Sequence, residues 1–211
     1  LEVDFSRPFL EQLQQLNLAV PKPNSESLGM VNSEYSANAA WLKNCYLVFN
    51  SNNDEDCAYG HGMDSCRNCV DNSHLEKCEG CYGSFWLTNC YRTYFSSQCE
   101  DSTDMWLSKD CRGCSNCFGC VNLRLKKYCI FNVQYSKEDY EKKLAEMRLD
   151  TWEGFTRATP LAREFWKKHP CKYLEGAQNQ SVSGDYISNS KNVHNSFLVR
   201  NTQDLKYVQY S

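Results

Sequence analysis

The 14 cysteines of this chain fall at positions 45, 57, 66, 69, 78, 81, 90, 99, 111, 114, 117, 120, 129 and 171, and every one of these numbers is a multiple of three. A chain that keeps such a register over so many residues is repeating one structural unit. The gaps of 9 and 12 sum to 21, and steps of 21 link Cys57, Cys78, Cys99 and Cys120 into one column. Cys69, Cys90 and Cys111 make a second column, and Cys45 with Cys66 begin a third. A fixed period near 20 residues is the mark of a solenoid, in which each coil buries its inner face only against its neighbours. A coil of 9 or 12 residues would enclose little interior, so the expectation is a mainly β, Cys-rich β-solenoid of about 21 residues per coil.

Between Asn32 and Asn132 no helical periodicity appears. Asn, Asp, Ser and Gly alternate there with aromatics and cysteines, the texture of short strands between tight turns. Helices flank this region. In "DFSRPFLEQLQQL" Ser6 is the expected N-cap, Pro8 sits in the first turn, and Phe9, Leu13 and Leu16 share one face. "SKEDYEKKLAEM" opens with a capping box of Ser136 and Asp139 and carries Tyr140, Leu144 and Met147 as its apolar stripe. "TPLAREFWKKHP" predicts a third helix capped by Thr159, with Pro160 at its first position, Leu161 and Phe165 on its apolar side, and Pro170 at its end. The expected organisation is a helix and linker over 1–30 acting as an N-terminal cap, the solenoid over 31–135, an α-helical insertion over 136–170 and further coils over 171–211.

The stretch "CRGCSNCFGC", Cys111 to Cys120, raises the question of metal. Two CxxC units commonly read as a zinc site, and tetrahedral zinc needs four thiolates converging at about 2.3 Å. Here the units are contiguous, so one ion would require an unusually tight wrap. A degenerate internal copy favours packing. "KNCYLVFNSNNDEDCAY" from Lys43 aligns with "KNVHNSFLVRNTQDLKY" from Lys191, so that Cys45 becomes Val193 and Cys57 becomes Leu205. In the 21-residue columns Leu87 and Ser108 also stand where cysteine would fall. A metal ligand does not tolerate Val or Leu, whereas a small buried hydrophobe does. The expected structural core is therefore Cys45, Cys57, Cys66, Cys69, Cys78, Cys90, Cys99, Cys111, Cys120, Cys129, Val193 and Leu205, with free thiols, no metal ligands and no catalytic residues. Zinc is the cofactor of the alternative reading.

Other signals are blander. The net charge of −3 gives no global field to attract nucleic acid, and no run of about 20 apolar residues could span a membrane. No secretory leader opens the sequence, so a cytoplasmic location is expected. His61, in "YGHGM", reads as a turn residue. The carboxylates of "NDED" and "CEDSTD" read as solvated turns, and Arg124, Lys126 and Lys127 as a solvated rim. No Ser-His-Asp, HExxH, GxGxxG or P-loop pattern is present.

With "DFSRPFLEQLQQL", "KNCYL", "CRGCSNCFGCVNLRLKKYCIFNVQYSKEDYEKK" and "VSGDYISNSKNVHNSF" in view, the chain resembles a family of Cys-rich, zinc-ribbon-associated proteins of candidate-phyla (Patescibacteria-type) bacteria. The resemblance covers most of the chain in the same order. It implies paired CxxC zinc ribbons upstream of the "DFSRPF" element, and this chain looks like the region after them, so no zinc role transfers to its own cysteines. The leading functional expectation is a non-enzymatic scaffold or binding module that meets a protein or surface partner through an exposed set drawn from Tyr46, Tyr82, Tyr91, Tyr94, Trp86 and Trp106. Self-association through the solenoid ends is a further expectation. The alternatives are a metal-binding or thiol-redox protein and, last, a carbohydrate-active β-helix enzyme, for which no acid/base pair is visible.

Overall fold

The computed structural model describes residues 4–21 and 26–210 and forms two compact units, Leu1–Lys167 and Lys168–Ser211. In the first unit the strands Tyr46–Phe49, Ala58–Asp64, Val70–Glu76, Phe85–Thr88 and Ser97–Glu100 form one parallel sheet. Tyr91–Tyr94, Thr103–Trp106, Ser115–Phe118 and Lys127–Ile130 form another, closed by the antiparallel strand Val133–Gln134. The architecture is a mainly β solenoid.

Its coil is shorter than the expected 21 residues. Tyr46 pairs with Ala58, Ala58 with Val70, Ser73 with Phe85 and Phe85 with Ser97, each step being 12 residues. Cys57 is therefore stacked on Cys69, not on Cys78, and Cys117 pairs with Cys129. The reason is a three-residue unit. In "KNC" at 43–45, Lys43 bridges to Glu55, Asn44 takes the left-handed conformation (φ 54), and Cys45 points inward. Four such triplets make the four sides of one coil. Any separation divisible by three keeps a residue inward, so 9, 12 and 21 look alike in sequence. The small interior that argued against a 12-residue coil is the one that Cys and Ser fill.

The left-handed position explains the composition. Asn53, Asp56, Asn68, Asn89 and Asp101 all have φ between 50 and 56. That conformation costs an ordinary L-residue about 1–2 kcal/mol, and Asn, Asp and Gly occupy it most readily. Their side chains also ladder between coils, as Asn44 Nδ2 donates to Asp56 (2.9 Å) and Asn89 Nδ2 to Asp101 (3.0 Å). Glycine at two of these positions makes room for rings. A Cβ at Gly83 would lie 2.7 Å from Phe95, and one at Gly119 2.5 Å from Phe131.

The helices differ from expectation in detail. Helix α1 spans Phe9–Ala19, but Ser6 does not cap it. Ser6 donates instead to Asp4 (2.6 Å), and Pro8 holds the cap position with no side-chain hydrogen bond. No residue of α1 is buried, so it does not pack as a cap. Helix α2, Lys137–Glu146, is capped as expected by Ser136, which accepts from the Asp139 N–H (3.1 Å). Helix α3, Trp152–Lys167, starts eight residues before the predicted Pro160. Thr151 caps it by accepting from the Gly154 N–H (3.1 Å), and Thr159 donates to the Phe155 carbonyl (2.9 Å). Pro160 thus lies inside the helix, where its missing N–H leaves one bond of the ladder unmade. The helices bury Tyr140, Ala158 and Ala162 against Phe118, Leu107 and Ile130. Leu144, Met147 and Phe165 join this contact, but Leu161 is 58% exposed, at the edge of the stripe that Ala158 and Ala162 bury.

The second unit is a four-stranded parallel sheet built from Gly176–Ala177, Gln180–Ser188, Lys191–Arg200 and Gln203–Lys206. Its core is Ile187, Val193 and Val199. Val193 is fully buried, while Leu205 is only partly so. The inward register here runs 187, 190, 193, 196, 199, one residue out of step with the cysteines. Cys171 is a multiple of three by coincidence: it is exposed and belongs to no stack.

Candidate functional site

The interior of the first unit consists largely of thiols and hydroxyls, and backbone hydrogen bonding explains why. In each triplet two N–H groups pair between coils, as Tyr46 N–H does with Cys57 O (3.0 Å) and Leu47 N–H with Glu34 O (3.4 Å). The inward residue's N–H needs another partner, because an unpaired buried donor is costly. Side chains one coil earlier supply it. Ser84 Oγ accepts from Ser96 N–H (3.2 Å), Ser96 Oγ from Ser108 N–H (3.0 Å), and Ser108 Oγ from Cys120 N–H (3.3 Å). In turn the inward groups donate to carbonyls: Cys45 Sγ to Lys43 O (3.3 Å) and Asp54 O (3.5 Å), and Ser84 Oγ to Tyr82 O (3.1 Å). A small side chain with an O–H or S–H meets both needs, so Cys and Ser share these columns.

Cys45, Cys57, Cys66, Cys69, Cys78, Cys90, Cys99, Cys111, Cys120 and Cys129 are all at most 2% exposed, and so are Cys81, Cys114 and Cys117. The four thiols of "CRGCSNCFGC" sit on four successive sides of the coil. Cys69 lies against Cys57, Cys66 and Cys81, and those contacts together with burial push its pKa up. Burial likewise raises Cys129. All 13 buried cysteines are free thiols, and among the described residues no group of three or more His, Cys, Asp or Glu is arranged to hold a metal.

One charged residue lies in this interior. Asp54, taken from "NDED" as a solvated turn, is 1% exposed. Its number is a multiple of three, so the register that locates the cysteines also places it inward. One carboxylate oxygen accepts from the Cys66 N–H (2.8 Å), and the other, Oδ2, is buried without a hydrogen-bond partner. Burial pushes its pKa up to about 8.

The outer faces carry the remaining chemistry. Lys43 and Arg67 pair with Glu55 and Arg92 with Asp104 along one side of the coil, and Arg112 pairs with Glu100 in a second ladder of alternating charge on another side. Arg124 is drawn into it by Asp110 (2.9 Å), while Lys126 and Lys127 are exposed. His61 lies in the strand Ala58–Asp64, not in a turn. Its ring is 2.6 Å from Asn50 Nδ2 and 5.5 Å, centroid to centroid, from His74, which stacks on Trp86 at 5.1 Å. Burial and the nearby His61 lower the His74 pKa.

A further side is aromatic along its length. Tyr46, Tyr82, Tyr94, Trp106 and Phe118 share one column at 12-residue spacing, with Tyr35, Tyr59, Phe95 and Phe131 beside them. Tyr46 stacks edge-on with Tyr35 (5.7 Å) and Tyr59 (5.8 Å). From Phe95 onward helices α2 and α3 cover this side, with Phe95 against Phe155 (4.3 Å) and Phe131 against Phe165 (5.3 Å). Below Phe95 it is open: Tyr35 is 69% exposed, Tyr46 43%, Tyr59 55%, Val70 36% and Tyr82 42%. Of the expected exposed set, Tyr46 and Tyr82 lie here, Tyr94 and Trp106 border the helices and are partly buried, and Tyr91 and Trp86 lie on other sides. Tyr35 and Tyr59 were missed because they occupy left-handed positions, where Asn is the commoner residue.

No family model matches the chain, and no curated protein matches it. No helix among the described residues is long and apolar enough to cross a membrane. Among solved structures, the chain is similar to LpxA, a UDP-N-acetylglucosamine acyltransferase from Bacteroides fragilis 9343, at 9% identity and a TM-score of 0.23, covering 72% of this chain and 90% of that one. It is also similar to a protein described as an acetyltransferase from Desulfovibrio desulfuricans G20, at 11% identity and a TM-score of 0.21, covering 83% of this chain and 52% of that one. TM-scores this low carry no argument about activity, and the solenoid is established by its own strand register.

Proposed function

We propose that this chain is a non-enzymatic binding module whose recognition surface is the open part of the aromatic side, Tyr35, Tyr46, Tyr59, Val70 and Tyr82. The observation that carries the reading is continuity: the same side, a few coils further on, already receives helices α2 and α3. Aromatic rings held by a hydrogen-bonded stack lose little freedom on binding, which favours recognition. A helical partner would lay its apolar face on these rings. The full chain should be titrated with an amphipathic helical peptide and, separately, with cello- and chito-oligosaccharides, following the ring signals of the four tyrosines by NMR. The peptide is expected to move them, and Tyr46→Asp to weaken that response. Signals unmoved by the peptide would sink the reading, and signals moved only by sugar would replace it with a carbohydrate-binding one.

The same reading assigns the buried cysteines to packing and backbone satisfaction. Cys114→Ala then loses a sulfur-sized group, costing roughly 1 kcal/mol. A structural zinc ligand would take with it on the order of 10 kcal/mol of coupled folding energy. The expected result is a chain that still folds, whose melting temperature EDTA leaves within a few degrees, about the shift that ~1 kcal/mol produces. One zinc per chain that disappears with Cys114→Ala would overturn the assignment.

A further inference from the structure

We infer that the occupant of the open aromatic side is helix α1 of a second copy of this chain, so that two chains exchange their N-terminal helices. The inference rests on the reading of that side as a recognition surface and names what binds there. Phe9, Leu13, Leu16 and Val20 follow one another at i, i+4, i+7 and i+11, a single apolar stripe along α1 and its cap. They are 63%, 40%, 37% and 44% exposed, and the helix buries no residue of its own. An 11-residue helix is marginal in water alone, and such helices draw their stability from burying an apolar face. Among the described residues of its own chain nothing buries this stripe.

The aromatic side supplies the complementary surface. The stripe from Phe9 to Val20 spans about 16 Å at 1.5 Å per residue. Tyr46 to Tyr82 is three coils, about 14 Å at the spacing of paired strands. Lengths and chemistry therefore match, and α2 and α3 show that this side accepts helices. Within one chain the match is unused: Leu13 and Leu16 stand exposed while Tyr46 and Tyr59 stand exposed, so α1 does not lie on its own face. A two-fold axis satisfies both surfaces twice, because each copy offers one helix and one face. This contact lies on the flank of the solenoid, apart from the self-association expected through its ends.

The test uses two full-length double variants, Leu13→Glu with Leu16→Glu, and Tyr46→Glu with Tyr59→Glu. All four sites are exposed or nearly so, and circular dichroism checks that the fold is kept. Light scattering on wild-type protein should report a dimer, and each variant should dissociate at least roughly tenfold more readily, a loss of 1.4 kcal/mol or more. An equimolar mixture of the two variants should regain dimers, because the intact helix of one meets the intact face of the other. A mixture that stays monomeric, or variants that dimerise like wild type, would overturn the exchange. A monomeric wild type whose tyrosine signals still move with an added amphipathic peptide would overturn the dimer and leave the recognition face standing. One whose signals stay still would overturn both.

Discussion

Replacing Asp54 with Asn should stabilise the protein at neutral pH and remove much of the stability lost as pH rises from about 4 to 8. The folded-state pKa of Asp54 is raised to about 8 from an ordinary value of 3.8. A carboxyl raised on folding takes up a proton when the chain folds. Below pH 3.8 both states hold that proton and nothing is lost. Between pH 3.8 and 8 stability falls as pH rises, at about 1.4 kcal/mol per pH unit for a single group. Near pH 7 the accumulated loss is on the order of 4 kcal/mol, and above pH 8 it is complete. Asn carries no charge to neutralise. It also fits the slot, as Asn72 demonstrates in another column of the same stack. Asn72 accepts from Ser84 N–H (2.9 Å) and donates to Val70 O and Cys81 O (both 2.9 Å). An Asn at 54 would accept from Cys66 N–H and offer its amide to the equivalent carbonyls of Asn52 and Met63, satisfying the position that Oδ2 leaves empty. Urea unfolding of wild type and Asp54→Asn at pH 4.5, 7 and 9 should give curves that nearly coincide at the lowest pH and separate progressively above it. An Asn variant less stable than wild type at pH 7 would show that the carboxylate, not the acid, is the folded form.

Asp54 also shows how the sequence could be read and where it misled. The count of three was the decisive signal, and it holds for every buried cysteine, including Cys81, Cys114 and Cys117, which the expected core left out. Taken as a rule for all residues, it would have placed Asp54, Ser84, Ser96, Ser102 and Ser108 inward as well, where the structure buries them. Composition argued otherwise, since Asp and Ser in an Asn-rich stretch look like turns. The missing link was backbone accounting. A tight coil leaves one N–H per triplet facing inward, so polar atoms in its core are a requirement. The coil length was not legible, because all multiples of three preserve the inward set. Only pairing partners distinguish 12 from 21, and pairing is a long-range property. The aromatic side was hidden for the same reason: Tyr46, Tyr82, Tyr94 and Trp106 are neighbours only at a 12-residue coil. Helix α3 was half-legible because Pro160 reads as a first-turn residue, while the true start depends on Thr151, on Gly154 fitting against the Met147–Arg148 backbone and on burial of Ala158 against the solenoid.

The helical cover itself predicts the second large effect. Phe118 projects outward from the stack, yet it is fully buried because α2 and α3 close over it. It packs edge-on against Phe131 at 5.5 Å, and Phe131 in turn meets Phe165 of α3. Phe118→Ala should cost about 3–5 kcal/mol, the usual range for emptying a ring-sized site in a core. The loss should fall on the helices more than on the coils. The cysteine interior and the helix-covered cluster are separate sets of contacting residues, and the inter-coil backbone bonds do not involve the Phe118 ring. Limited proteolysis should therefore cut the variant between 137 and 167 sooner than wild type, while strand signal in circular dichroism persists. Leu161→Ala serves as the control: at 58% exposure it should change stability by no more than about 0.5 kcal/mol. Equal losses from the two variants would mean that α3 presents Leu161 to the solenoid. Complete loss of strand signal in Phe118→Ala would mean that the coils cannot stand without their helical cover, and the open aromatic side below Phe95 would then need a cover of its own.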